Sequence, residues 1–267
     1  MLRDITLGQY YQTDSVIHRL DPRVKLVTTV LFIISLFIID NFIGYIIAGS
    51  FLVMVIKLSK VPFKFMVRGM KSIVILLLFA VVFNLFLTPG EVLVSFWKLK
   101  ITKEGLRLAA FMAIRLVFLI MGSSVMTLTT TPNNLTDGLE KLLNPLKIFK
   151  VPVHEIAMMM SIALRFIPIL LEETDKIMKA QIARGADFES GNLIKKAKSL
   201  VPLLVPLFIS AFRRANDLAT AMEARCYRGG EHRTKMKPLI YQKRDRIAYT
   251  VAICYLALCI VFGKILF

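Results

Sequence analysis

The sequence predicts an all-α, polytopic membrane protein with about five transmembrane helices and a cytoplasmic domain of long amphipathic helices. Three observations predict it. Apolar residues make up 56% of the 267, yet Lys and Arg number 35 against 18 Asp and Glu, so apolar and basic residues must be segregated along the chain. Runs such as residues 73–87 are almost continuously apolar, where an element of a soluble domain would alternate. Basic clusters flank those runs on alternate sides, the pattern that orients membrane helices. The net charge of +17 therefore points to an anionic membrane face and not to nucleic acid.

Residues 1–21 carry Arg3, Asp4, Gln9, Gln12, Asp14 and His18 without a long apolar core, so they do not read as a cleaved signal peptide. Spans are expected at residues 24–39, 42–56, 70–88, 106–130 and 247–267. The first two fall short of the ~20 residues a bilayer requires. Only Asp40-Asn41 separates them, which makes them a helical hairpin with thinned bilayer or interfacial flanks supplying the missing length, or a partly re-entrant pair. Arg3, Arg19, Arg23 and Lys25 precede the first span, and Lys57, Lys60, Lys64, Arg68 and Lys71 lie between the second and third; both groups belong in the cytoplasm. The mixed loop at residues 89–105 then lies outside. Four crossings return the chain to the cytoplasm, dividing it into a membrane region (1–131), a cytoplasmic region (132–246) and a C-terminal span (247–267).

Residues 153–171 are apolar enough to contest this count. Centring Arg165 in lipid would cost about 2.5–3.5 kcal/mol, and a crossing there would invert the side of the following basic run. The reading adopted is a helix at the cytoplasmic interface or beneath its neighbours. Three helices are expected in the cytoplasmic region. One follows Thr131-Pro132-Asn133-Asn134 and reaches Leu143; another starts near Val153, bends at Pro168 and stops at Gly185; the third runs from about Leu203 to Tyr227. The second has acids before bases, with Glu172/Lys176 and Asp175/Lys179 as i,i+4 pairs. In the third, Ala211, Ala215 and Ala219 allow close approach of a neighbour.

A short pattern recurs at the ends of two of these helices: Ala180-Gln181-Ile182-Ala183-Arg184-Gly185 and Ala221-Met222-Glu223-Ala224-Arg225-Cys226. A helix end with one Arg between small residues fits deep into a groove, where the planar guanidinium makes bidentate bonds to oxygen acceptors. The plainer alternative is that each Arg only caps its own helix.

His18-Arg19-Leu20-Asp21-Pro22-Arg23-Val24-Lys25-Leu26 resembles the Leu-Asp-Pro-Arg-x-Lys-Leu start of the first span in the transmembrane coupling (T) components of energy-coupling factor (ECF) transporters. The Ala183-Arg184-Gly185 and Ala224-Arg225-Cys226 triplets resemble that family's two coupling motifs, in order and in the expected region, as does Arg213-Arg214-Ala215-Asn216-Asp217-Leu218-Ala219. The second triplet departs from the family by ending in Cys226 instead of Gly. The resemblance covers nearly the whole chain. It implies a bacterial cell-membrane protein, multi-pass with a cytoplasmic N-terminus, which binds two ABC-type ATPases through the Arg-tipped helices. It also implies a separate substrate-binding S component for vitamins or metal ions. ATP and Mg would be used by the ATPases, with no cofactor bound by this chain.

No phosphate-cradling Gly-x4-Gly-Lys-Ser/Thr loop is present, and Gly229-Gly230 is followed by Glu231-His232. His154-Glu155 resembles the start of a zinc-protease motif, but Met158 stands where the second ligand belongs. His18, His154 and His232 are scattered, and Cys226, Cys254 and Cys259 form no metal-like cluster. A non-catalytic chain is expected. Arg115 lies inside the fourth span, where an ionised group often marks function; the plainer reading is a bond to a neighbouring helix, for instance near Asn84. Met158-Met159-Met160 offers a soft surface suited to packing or to exchangeable partners. The competing class is a stand-alone secondary transporter or channel, which should show inverted repeats and interrupted polar spans; only Asn84 and Arg115 are candidates for such a site.

Overall fold

A computed structural model describes residues 10–89, 91–96, 99–186, 188, 193–230 and 236–265. Arg3, Asp4, Gln9, Glu231, His232, Arg233, Lys235 and the expected final span residue Phe267 lie outside the described residues. The described residues fold into eight α-helices and one hairpin: α1 (Pro22–Ile38), α2 (Phe42–Ser59), α3 (Phe63–Leu87), β1 (Val92–Phe96), β2 (Leu99–Thr102), α4 (Lys103–Thr129), α5 (Pro132–Leu143), α6 (Val153–Ala183), α7 (Leu193–Ala224) and α8 (Lys243–Ile265), with a 3-10 turn at Asn144–Phe149. The chain is an all-α polytopic membrane protein to which the hairpin is a small addition.

Local sequence explains where the helices begin and end. Asp21 caps α1, its carboxylate accepting from the Arg23 N–H at 2.9 Å, and Pro22 occupies the first helical position, where its missing N–H costs nothing. Ile39-Asp40-Asn41 makes the turn to α2, which ends at Lys60 in a left-handed conformation, φ 55°. Thr102 caps α4 by accepting from the Gly105 N–H at 3.1 Å.

The chain divides into two compact units, Leu139–Pro238 and Gly8–Gly138 with Leu239–Phe267. In the second, Phe32, Leu36, Tyr45, Ala48, Met121 and Tyr255 from α1, α2, α4 and α8 form the core, while Phe37, Ile75 and Phe79 face outward, as lipid-facing side chains should. The first and last helices are tied by polar contacts. The Ser35 and Tyr255 hydroxyls lie 2.7 Å apart, and the Asp21 N–H donates to the Asp245 carboxylate at 2.9 Å. Asp245, 1% exposed, also accepts from the Gln242 N–H at 2.8 Å, the reach-back half of a capping box at the start of α8.

Among the described residues four helices suffice by length and composition to cross a membrane: α2, α4, α6 and the Lys243–Gly263 part of α8, with a shorter apolar segment at Leu77–Phe86 in α3. α1 has 17 residues.

Three details differ from the sequence reading. Residues 89–105 are not all loop, because β1 and β2 pair antiparallel with Val94 opposite Ile101 and Phe96 opposite Leu99. α3 starts seven residues before the expected span, on Phe63 directly after Pro62. α7 starts at Leu193, not Leu203, and runs through Pro202 and Pro206. Pro206 removes the donor for the Pro202 carbonyl, and that carbonyl instead accepts a long contact, 3.4 Å, from Gln181 Nε2 of α6.

Candidate functional site

The two repeated Arg motifs fall on the ends of α6 and α7, and their caps have the same geometry. At the end of α6, the Gly185 N–H donates to Ile182 O and the Ala186 N–H to Gln181 O, both at 2.9 Å. At the end of α7, the Cys226 N–H donates to Glu223 O at 2.8 Å and the Tyr227 N–H to Met222 O at 3.0 Å. Each is a Schellman motif, with the following residue left-handed, φ 86° at Gly185 and 56° at Cys226. The caps place Arg184 and Arg225 at equivalent positions, the last half-helical residue of each helix. Ala183, Arg184, Gly185, Ala224, Arg225 and Cys226 are all exposed. Among the described residues neither guanidinium forms an ion pair.

The Schellman bonds at both ends run between backbone groups alone, so neither cap depends on the arginine side chain. The departure from Gly at position 226 also takes on physical content. Gly185 meets the left-handed requirement without steric penalty, whereas Cys226 carries a Cβ into that region at a cost of about 1–2 kcal/mol.

Contacts between the two helices fix the relative placement of the tips. The Arg214 guanidinium of α7 donates to Glu173 Oε2 of α6 at 2.9 and 3.2 Å, and the Ser210 hydroxyl donates to Glu173 Oε1. The Ser210 bond, opposed by partial burial and reinforced by Arg214, holds the Glu173 carboxyl below its ordinary value. Further along α6, Gln181 meets Pro202; near its start, Met158 and Ile162 line a cleft with Leu218, Met222 and Arg225. Moving up α6 therefore means moving down α7, and the pair is antiparallel. Gln181 is level with Pro202 and Arg184 lies three residues beyond it, so the Arg184 tip is roughly 39 Å along α7 from Arg225 at 1.5 Å per residue.

The pair also carries an apolar surface. Met159, Met160 and Ile167 of α6 and Leu204, Val205, Phe208 and Phe212 of α7 are exposed, and the Phe208 and Phe212 rings meet at a tilt of 52° with centroids 5.0 Å apart. The sequence reading singled out the Met158–Met160 run and the four- and three-residue spacing that begins with Phe208 and Phe212; the exposed Leu204 and Val205 extend that stripe toward the start of α7.

Elsewhere the candidates serve structure. Arg115 does not bond near Asn84. Its guanidinium donates to Tyr45 Oη at 3.0 Å and Ile39 O at 3.1 Å, and Asp40 lies at 3.5 Å, so it ties α4 to the α1–α2 turn; Asn84 donates instead to Ala80 O. In the Leu-Asp-Pro-Arg motif, Arg23 pairs with Asp21 at 2.8 Å, donates to Leu239 O at 3.1 Å and stacks 3.7 Å above the Tyr241 ring. Burial works to raise the Asp21 pKa, but the hydrogen bonds from the Arg23 side chain and N–H prevail and hold it low. His154 Nδ1 sits 2.9 Å from Glu140. Among the described residues no group of three or more His, Cys, Asp or Glu is placed to hold a metal ion.

The family model of CbiQ, described as cobalt transport protein, matches residues 13–236. The chain belongs to the CbiQ family. Among CbiQ-like relatives it is similar to the energy-coupling factor transporter transmembrane protein EcfT of Clostridium kluyveri, at 58% identity over 262 residues and 97% of each chain. It is 51% identical to that of Ruminiclostridium cellulolyticum over 267 residues, the full length of both. It is 49% identical to that of Bacillus subtilis over 246 residues, 92% of this chain and 93% of the relative. The resemblance carried by the Leu-Asp-Pro-Arg and Ala-Arg motifs is thus a family membership over the whole chain.

Proposed function

We propose that this CbiQ-family chain is the coupling subunit of an ECF-type ABC importer in the bacterial cell membrane, with its N-terminus in the cytoplasm. Arg184 and Arg225 insert into grooves on two ABC-type ATPase subunits, flanked by Ala183 and Gly185 at one tip and by Ala224 and Cys226 at the other. The exposed apolar side of α6 and α7 bears the S component that binds the vitamin or metal ion. ATP and Mg are used by the ATPases, and this chain performs no catalysis. α6 lies at the cytoplasmic interface in this scheme, because Arg165 and the basic residues after it belong on that side.

The observation that carries the reading is the pair of matched tips: two exposed arginines on identical Schellman caps at opposite ends of one antiparallel helix pair. An antiparallel pair about 39 Å between tips reaches two subunits standing side by side. When ATP brings those subunits together, the tips are drawn inward, and the bodies of α6 and α7 turn beneath whatever rests on their apolar face. A rigid pair transmits such movement, and the Glu173 contacts to Ser210 and Arg214 pin the helices near their middles.

Co-purification of the ATPase pair with wild-type, Arg184→Ala, Arg225→Ala and double-variant chains, paired with ATP-dependent uptake in vesicles, tests the proposal. Each Ala variant is expected to weaken docking by about 2–5 kcal/mol where the guanidinium becomes buried against a partner, and Lys replaces Arg poorly. Unaltered assembly and uptake in a correctly inserted double variant would refute it.

A further inference from the structure

A cavity of about 310 Å³ lies among α1, α2, α4 and α8, within the size range of small-molecule sites. Its walls are largely aliphatic and aromatic, with Phe32, Leu52, Val55, Val125 and Val251 among them. The exceptions are Thr28, Thr29 and Thr129, together with two cations, Lys25 and Arg244. The hydrogen bonding of that polar group is incomplete. Among the described residues, Arg244 Nε and Thr28 Oγ1 are buried without a partner, a condition that folded proteins rarely leave uncompensated. Lys25 Nζ donates to two neutral carbonyls, Thr129 O at 2.8 Å and His18 O at 3.1 Å, which solvate its charge without cancelling it.

The nearby carboxylates are already engaged. Asp21 is held by Arg23, and Asp245 accepts from the N–H groups of Asp21 and Gln242. Neither Lys25 nor Arg244 forms an ion pair among the described residues. The cavity thus combines apolar walls with two cations that form no ion pair among the described residues, Asp21 and Asp245 lying within electrostatic reach of Lys25 but hydrogen-bonded to other groups, in a chain whose outer surface meets lipid. A polar solute would waste the walls, and a hydrocarbon would leave Arg244 and Lys25 unmatched.

We infer that this cavity binds an anionic phospholipid, one acyl chain lying along the apolar walls and the phosphate accepting from the Arg244 guanidinium beside Lys25. Basic pockets between membrane helices recognise lipid head groups by this combination, and a guanidinium matches the oxygens of a phosphodiester. The inference rests on the membrane unit alone and is independent of the coupling role of Arg184 and Arg225.

The chain has a single tryptophan, which makes the test direct. The full chain carrying Trp97→Phe and Met126→Trp, a substitution in the cavity wall, is reconstituted in phosphatidylcholine vesicles. These contain equal mole fractions of either phosphatidylglycerol or phosphatidylcholine with brominated acyl chains. Bromine in the cavity quenches the reporter. Stronger quenching by the phosphatidylglycerol is expected, equivalent to about a fivefold preference, abolished in Arg244→Gln and retained in Arg244→Lys. Competition in the parent protein needs no change at Arg244: unbrominated phosphatidylglycerol should relieve the quenching and phosphatidylcholine should not. Equal quenching by the two lipids, relief by both, a preference that survives Arg244→Gln, or no quenching by either because a protein segment fills the space would each overturn the assignment.

Discussion

Replacing Asp245 tests the claim that the start of α8 is built around one buried carboxylate. Its two oxygens have different donors, the Asp21 N–H at 2.9 Å on one and the Gln242 N–H at 2.8 Å on the other. Asparagine keeps the shape but offers one oxygen and one NH2 group, so one of the two backbone donors must face another donor. Leaving that donor unpaired and removing the charge costs about 2 kcal/mol. Alanine removes both acceptors, and the loss rises to about 4 kcal/mol. Hydrogen exchange on the full chain in nanodiscs reads the two amides separately. A local loss of 2 kcal/mol corresponds to roughly 30-fold faster exchange, so Asp245→Asn is expected to accelerate one of the Asp21 and Gln242 amides and Asp245→Ala both. Unchanged exchange at Asp21 in the alanine variant would show that the link between α1 and α8 does not depend on this side chain.

Two further outcomes follow from the helix pair. Cys226→Gly, which relieves the left-handed strain at φ 56°, is expected to gain up to about 1 kcal/mol at the end of α7, read as slower exchange of the Tyr227 amide; faster exchange would show that the Cys side chain makes a compensating contact. Because the folded-state pKa of Glu173 is depressed, its contribution is present above the ordinary value of 4.5 and is lost as pH falls through the lower folded value. Spin labels on α6 and α7 should therefore report loosening on acidification to that range, and Glu173→Gln should remove the pH dependence; an identical titration in the Gln variant would refute the assignment.

The membrane helices were legible because a long apolar run has few alternatives to a helix in lipid, and the Asp21-Pro22 pair announced the start of α1. The ends of α6 and α7 were legible for a related reason: a Gly after a charged helix is a local signal, and repetition of the Ala-Arg pattern exposed the second. The start of α7 was hidden because a proline reads locally as a helix boundary, and the expected start at Leu203 falls directly after Pro202, whereas Pro202 and Pro206 both lie inside α7. Their helical accommodation depends in part on Gln181, a residue of another helix. The partners of Arg115 were equally beyond local reading, since Tyr45 and Ile39 are brought to it by packing of α4 against the α1–α2 turn. The Val92–Phe96 segment, rich in β-branched and aromatic residues, did contain a strand signal, outweighed by the expectation of a loop of mixed charge. The cations of the apolar cavity gave no signal of that kind; Lys25 and Arg244 looked like ordinary flanking charges.

The ties between α1 and α8 also bear on how the protein is made. Asp21 and Asp245, Ser35 and Tyr255, and Asn41 and the Gly263 carbonyl are joined across more than two hundred residues of chain. At a synthesis rate of 5–20 residues per second, α1 waits roughly 10–40 s in the bilayer before its partner emerges from the ribosome. Throughout that interval the polar groups of the first helix lack their final partners, and one wall of the core is missing. α8, translated more than two hundred residues after α1, is therefore the element that closes the bundle, and a chain terminated before it remains chemically marked as unfinished by the unsatisfied groups on α1.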